Sequence, residues 1–374
     1  VSNVAVVPVA NRRQKKAFLE FPWQLYRDDP NWVPPLRMDQ KELVGYSYHP
    51  FYIRNQVQTF LAYRDNEVCG RIAAIVNHDH NEFQNERRGF FGFFECWDDR
   101  EAAHALLDTA RGWLAEQGMQ SVRGPASPSF NHIMGTLVEG FDSPPTFMMA
   151  YNPPYYGQLI ESYGFRKSQD LFAFWGDADM LPANQKKYGP IADQIRERLN
   201  IRIRPISKSR FRQDIKDFLA IYNQSLKNNW GFSPMSDEAL EYMARVFRYV
   251  LIPELVVGAE INGRLVGIVL GLPDYNTRIK QIDGRLLPFG FLRLLIGRRR
   301  IKKIRILAAN VLPEYHLMGV AMVLMQAMVP MGLSYGINEV EFSWVAESNA
   351  ASRGALEKGG AKRVKTYRMY DLDL

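Results

Sequence analysis

The residues best placed to do chemistry lie in 303–332, KIRILAANVLPEYHLMGVAMVLMQAMVPMG. Residues 304–311 read as a buried strand, Pro313 and Gly319 mark a turn, and the helix that follows opens almost bare of side-chain charge. A strand that ends in a loop and starts a helix presents unpaired backbone N–H groups at the positive end of a helix dipole. That is a natural cradle for a phosphate-bearing ligand. Gly319 has no side chain to block the approach, and Met318, Gly319, Val320 and Ala321 offer the N–H donors. His316 lies in the same turn. Upstream, residues 297–305 (GRRRIKKIR) form the sharpest charge feature, and the apolar run 286–296 precedes them. The basic tract reads as a solvated edge leading into the strand, or as a surface for a phosphate, an anionic acceptor, an acidic carrier protein or a membrane.

These residues need elements to hold them, and the chain supplies ample material. Its 374 residues exceed one ordinary core, so two domains are expected. With 47% hydrophobic and 13% aromatic residues, large-scale disorder is excluded. The net charge of +7 is modest and by itself reads as surface lysine and arginine. Cys69 and Cys96 sit in apolar strand-like runs and read as buried thiols, with neither a disulfide framework nor a metal site implied. No signal-peptide start and no uncharged apolar run of membrane-spanning length is visible, so a cytoplasmic, soluble protein is expected.

In chain order, 1–9 reads as a strand and 11–26 as a helix, followed by a Pro- and aromatic-rich segment, 28–55, that reads as a lid or pocket wall. A hairpin (56–63 and 68–77), an aromatic strand (90–96), a helix capped by Asp98 or Asp99 (100–117), a strand (120–126), a short helix (153–164) and a last strand (165–175) complete the first half. The polar segment 176–199, with Pro182 and Pro190, reads as a linker with a short helix around 189–198. The order then repeats: a strand (200–206), helices over 208–228 and 236–250, a hairpin about Asn262-Gly263, an irregular insertion (273–302), the strand and helix described first, a strand (339–345), a helix (349–359) and a hairpin-like tail (361–373). The fold class is α/β, an α+β mixed sheet, in two tandem domains of one architecture: 1–175 and 200–374, joined by 176–199.

This order resembles the GNAT superfamily of N-acetyltransferases, and motifs in the second half carry the resemblance. The family marks its coenzyme A pyrophosphate loop with Gln or Arg, two residues, Gly, one residue, then Gly or Ala. His316, Gly319 and Ala321 stand at those positions, preceded by Val311 and Pro313. A second motif, an Asn opening a helix that ends in Glu-Lys with Gly close behind, is matched by Asn349, Glu357, Lys358 and Gly360. The resemblance implies acetyl-coenzyme A or another acyl-coenzyme A as co-substrate and no metal. Its binding residues would be Asn310, Val311, His316, Met318, Gly319, Val320, Ala321, Asn349 and Ser352. The first half resembles the same fold without its binding loop: CWDDREAAHA (96–105) stands there, with no glycine and with acidic residues that repel phosphate. It reads as a degenerate copy.

Three departures bear on catalysis. His316 replaces the usual Gln or Arg, Pro330 should kink or shorten its helix, and Leu356 stands where many members carry a general-acid Tyr. Glu341 and Glu260 are the candidate bases and Tyr370, with Tyr367, the candidate acid; a backbone N–H near Asn310 and Val311 would serve the oxyanion. The expected function is an acyl-coenzyme A-dependent N-acyltransferase acting on a small-molecule or peptide amine. A non-catalytic coenzyme A-binding protein, and transfer of a longer acyl or aminoacyl group to a lipid or peptide, remain the alternatives. Residues 286–305 are the expected place of peripheral contact with a membrane or acyl carrier. No nucleic-acid module is recognisable.

Overall fold

Fifteen strands and twelve helices are formed among the described residues, in a computed structural model that describes residues 3–207, 209–227 and 229–374. The chain forms two compact units, and neither is continuous in sequence. The first runs to Leu171 and takes in Asn276–Leu294 and Lys365–Leu374; the second comprises Phe172–Tyr275 and Leu295–Val364.

In the first unit, β1 (Ala5–Pro8), β2 (Gln56–Arg64), β3 (Glu67–Val76), β4 (Arg88–Cys96) and β5 (Ser121–Gly124) lie side by side in that order. Asp65 and Asn66 turn β2 into β3 with φ of 51° and 65°, left-handed conformations that short polar side chains tolerate. Helix α1 (Arg12–Leu25) starts on an Asn11–Gln14 capping box, and α2 (Arg37–Leu43) and α3 (His78–Gln84) are short. Asp99 caps α4 (Arg100–Glu116) by accepting from the Ala102 N–H. The apolar face of α4, with Ala102, Leu106, Ala110 and Leu114, packs into the main core against Ile72, Ala74 and Phe91. Cys69 and Cys96 are buried free thiols there, as expected. Helix α5 (Tyr156–Tyr163) stops at Gly164.

The parallel pairing of β4 with β5 ends at Phe90 and Arg123. The chain then fills the opening with itself, through β6 (Ala126–Ser127), which pairs with β7 (Ile133–Met134). Ser127 Oγ accepts from the Phe93 N–H at 2.9 Å, and a Cβ on Gly92 would stand 1.9 Å from the Ala126 carbonyl. Strand β8 (Thr136–Glu139) follows, and the next strand, β9 (Arg166–Asp177), is divided between the units.

The second unit adds α6 (Leu181–Arg198), β10 (Arg202–Pro205), α7 (Phe211–Ser225), α8 (Asp237–Val250), β11 (Val256–Ile261) and β12 (Arg264–Pro273). The expected linker 176–199 is therefore mostly an 18-residue helix. Pro182 falls in its first turn, where a missing N–H costs nothing, and burial of Ala192 holds the helix through Pro190. Helices α9 (Asn276–Gln281) and α10 (Gly290–Leu295) follow, then β13 (Lys303–Val311), α11 (Val320–Tyr335), β14 (Glu339–Ala346), α12 (Ala350–Lys358) and β15 (Lys362–Asp373). Pro330 does not shorten α11, which runs on to Tyr335. The unit's strand order is β10-β11-β12-β13-β14, with β9 on the far side of β14.

The expected tail hairpin is one continuous strand, β15. Its last residues, Tyr370 to Asp373, pair antiparallel with β5 in the first unit. Asp371 fixes that pairing, accepting from Arg123 Nε at 2.7 Å, Arg88 Nη1 at 2.9 Å and Ser168 Oγ at 3.0 Å. Burial alone would raise its pKa, but the hydrogen bonds and charge of Arg123, with Arg88, hold it below the ordinary carboxylate value. A depressed carboxylate contributes stability that is present above its unfolded pKa and is lost as the pH falls through the folded one. Asp371→Asn is accordingly less stable than the parent at neutral pH, and the gap closes as the pH falls below the ordinary carboxylate value and through the depressed one. Urea titrations across that range measure it, and a gap independent of pH would refute the linkage.

The aromatic segment 28–55 and the insertion meet within the first unit. Asp283 accepts from Trp23 Nε1 at 2.5 Å and from Arg37 Nη2 at 2.7 Å, while the Arg37 guanidinium lies 3.9 Å over the Trp23 ring. Trp32 stacks on Tyr26 with ring centroids 5.0 Å apart, and Asn276 Nδ2 donates to the Pro145 carbonyl at 2.6 Å.

Candidate functional site

The site is built where two parallel strands part. Strands β13 and β14 pair from Lys303–Glu339 to Ile306–Phe342, and there the ladder stops while β13 runs on to Val311 and β14 to Ala346. On its other edge β13 stays bonded to β12 as far as Val311–Gly267. The result is a fork whose β13 edge, from Leu307 onward, is open to an extended ligand. Each prong ends in a helix: α11 follows Val311 through the 3-10 turn Pro313–Met318, and α12 follows Ala346 with Asn349 as its cap.

The cradle at α11 has the geometry its residues predict. Gly319 sits at φ +80°, and the first turn carries no acidic side chain, so the N–H groups of Val320, Ala321 and Met322 point out unpaired by helix geometry. A second role for Gly319 was not legible in the sequence. A Cβ there would stand 2.5 Å from Ile195 Cδ1 on α6, so the glycine also admits a neighbouring helix. His316 folds back and donates from Nε2 to the Val311 carbonyl at 2.8 Å, which makes it a brace of the loop. Asn310 and Val311 are buried at the end of β13. Asn349 Oδ1 accepts from the Ser352 N–H at 3.1 Å, which leaves its amide nitrogen for a ligand. Met318 is exposed at the end of the turn. These residues fit an acyl-coenzyme A: helix N–H groups for a pyrophosphate and a strand edge for the amide-bearing arm.

The two candidate bases are not brought together. Glu341 is 1% exposed at the closed end of the fork, its Oε1 accepting from Ser343 Oγ at 2.8 Å and its Oε2 lying 3.7 Å from Lys303 Nζ. It stands opposite Arg305 in register, and that position is roughly 20 Å along β13 from Val311. Glu260 lies at the other end, one residue beyond the Ala259–Gly267–Val311 row, and is held by Arg204 Nε at 2.7 Å. Tyr370 belongs to the first unit, where its hydroxyl donates to Glu161 at 3.0 Å, and burial in that core, then the charge of Glu161, raise its pKa. Tyr367 is buried in the same strand. Leu356 packs against Phe172, Phe174, Val345 and Ala361, so its position serves the apolar support of α12.

Arg305 corrects the reading of 297–305 as one solvated tract. It is 1% exposed, donates from Nε to Ser343 Oγ at 3.0 Å and from Nη2 to the Ser343 carbonyl at 3.2 Å, and lies 4.8 Å over the Trp344 ring. The available signal was its place between Ile304 and Ile306 on a buried strand, with Glu341 on the next strand to meet it.

The profile of the acetyltransferase (GNAT) family matches residues 215–360, which contain the fork and both helix starts. Protein YghO of Escherichia coli (strain K12) is 32% identical over 370 residues, 96% of this chain and 93% of that protein. The bacterial ceramide synthase of Caulobacter vibrioides (strain NA1000 / CB15N) is 32% identical over 381 residues, 99% of this chain and 97% of its own. The chain belongs to the GNAT acetyltransferase family. A solved tandem GNAT protein from the clavulanic acid biosynthesis pathway superposes with a TM-score of 0.57 at 11% identity, covering 99% of this chain and 98% of that one, so the tandem fold is shared. As a GNAT protein it is an acyltransferase, with acyl-coenzyme A as co-substrate. Among the described residues no helix is long and apolar enough to cross a membrane.

Proposed function

We propose that this GNAT protein N-acylates a long-chain amine with an acyl-coenzyme A bound at the fork of the second unit. The observation that carries the reading is similarity over 99% of the chain to a protein named bacterial ceramide synthase, since a ceramide is the amide of a long-chain amino alcohol.

In the reaction the amine nitrogen bonds to the acyl carbon, the carbon–sulfur bond breaks, and the amine proton ends on the departing sulfur. The N–H groups opening α11 hold the pyrophosphate, and Asn349 and the β13 edge align the arm that bears the thioester. A backbone N–H near Asn310 and Val311 stabilises the oxyanion. Glu341 and Glu260 are both engaged by cations, so holding the two reactants together carries most of the acceleration, and such positioning supplies up to about 7–11 kcal/mol. The test incubates the protein with long-chain acyl-coenzyme A and sphinganine, reading free thiol and the amide mass. Long-chain amide formation is expected. Turnover confined to acetyl-coenzyme A and short soluble amines would sink the long-chain reading and leave the family assignment intact.

A further inference from the structure

The insertion in the first unit holds the densest run of exposed apolar side chains among the described residues. Of eighteen large hydrophobic side chains exposed there, four fall between Leu287 and Leu292. Leu287 and Phe289 are 70% and 71% exposed, a state that soluble surfaces avoid in clusters. The segment is well formed nonetheless. Asp283 ties its base to Trp23 and Arg37, and the Gly284 carbonyl accepts from the Arg37 N–H at 3.0 Å. The Phe291 N–H reaches back to the Leu286 carbonyl at 2.9 Å, Arg278 Nη1 donates to the Arg293 carbonyl at 2.9 Å, and Gly290 allows the turn, because a Cβ there would stand 1.8 Å from the Arg285 carbonyl. Only Gly284 and Leu294 are buried within 284–297, so the backbone is fixed while the apolar side chains face outward.

Charge specifies what those side chains meet. After Asp283 the next acidic residue is Glu314, and the chain between carries Arg285, Arg293, Arg298, Arg299, Arg300, Lys302, Lys303 and Arg305. Within the first unit the exposed apolar side chains stand between Arg285 and Arg293 without an intervening carboxylate and match an anionic bilayer, whose head groups pair with the arginines while its acyl region takes the leucine and phenylalanine tips. A folded acidic partner would instead need a concave apolar surface to receive a convex tip.

We propose that residues 285–294 form a peripheral docking surface for membranes rich in anionic phospholipid, a role independent of which amine is acylated. The test is flotation of the full chain with vesicles of phosphatidylcholine alone and of phosphatidylcholine mixed with phosphatidylglycerol. Flotation with the mixed vesicles, weakening as salt rises, is expected. Leu287→Ser/Phe289→Ser/Phe291→Ser should lower the partition coefficient about tenfold or more, and Arg285→Gln/Arg293→Gln should remove the preference for phosphatidylglycerol. All these side chains are exposed, and Leu287→Ser alone provides a milder variant should the triple fail to fold. No flotation with either vesicle overturns the proposal, as does flotation unchanged in Leu287→Ser and the triple variant. Binding to purified acyl carrier protein, or self-association that the triple variant abolishes, in place of vesicle binding also overturns it.

Discussion

Gly319→Ala is expected to weaken acyl-coenzyme A binding about tenfold or more and to lower stability by about 2 kcal/mol. The φ of +80° at this position penalises any Cβ, and that Cβ would also stand 2.5 Å from Ile195 Cδ1. Both costs arise before any ligand binds, so affinity and stability must be measured together. Ile195→Ala separates them, because it removes the steric neighbour and leaves the dihedral penalty. The pair Gly319→Ala/Ile195→Ala should regain part of the lost stability in urea titrations, and calorimetric titration with acyl-coenzyme A then reports the cradle itself. An affinity unchanged in Gly319→Ala would remove the start of α11 from the binding site.

Arg305→Ala should cost about 3–5 kcal/mol, because it leaves a buried hydrogen-bonded network without its cation. Ser343 Oγ accepts from Arg305 and donates to Glu341, so the arginine orients the hydroxyl that satisfies the carboxylate. Lys303, 3.7 Å from Glu341, is then the nearer remaining charge. Arg305→Met keeps much of the volume over Trp344 and should cost less when paired with Glu341→Gln than alone. Denaturation midpoints of the single and double variants test this coupling. A cost under about 1 kcal/mol for Arg305→Ala would show that the closed end of the fork does not depend on the network.

What could be read from the sequence was what depends on near neighbours. Asn262-Gly263 announces its hairpin because both residues accept positive φ, here 51° and 76°. Ser236 and Asp99 announce helix starts because a cap acts within three residues. The fork was legible through Gly319 and Asn349, whose spacing carries the family's motif. Long-range pairing was not. Arg305 reads as one more cation after 298–303 until β14 brings Glu341 opposite it. Helix α6 was hidden by two prolines, and only packing around Ala192 and Ile195 sustains it. Tyr370 was assigned to the half of the sequence it follows, whereas its partner Gly124 lies far upstream.

That last pairing governs the order in which the protein can be made. Residues 365–374 supply the strand beside β5, and Asn276–Leu294 buttress the Trp23–Arg37 wall, so the first unit draws on chain synthesised after most of the second. During translation β5 therefore waits with an unpaired edge, the kind of edge that recruits strands from other chains. A cut between residues 175 and 200 would not release two self-sufficient halves. The nascent chain needs either speed or a chaperone to keep that edge vacant until its own strand arrives.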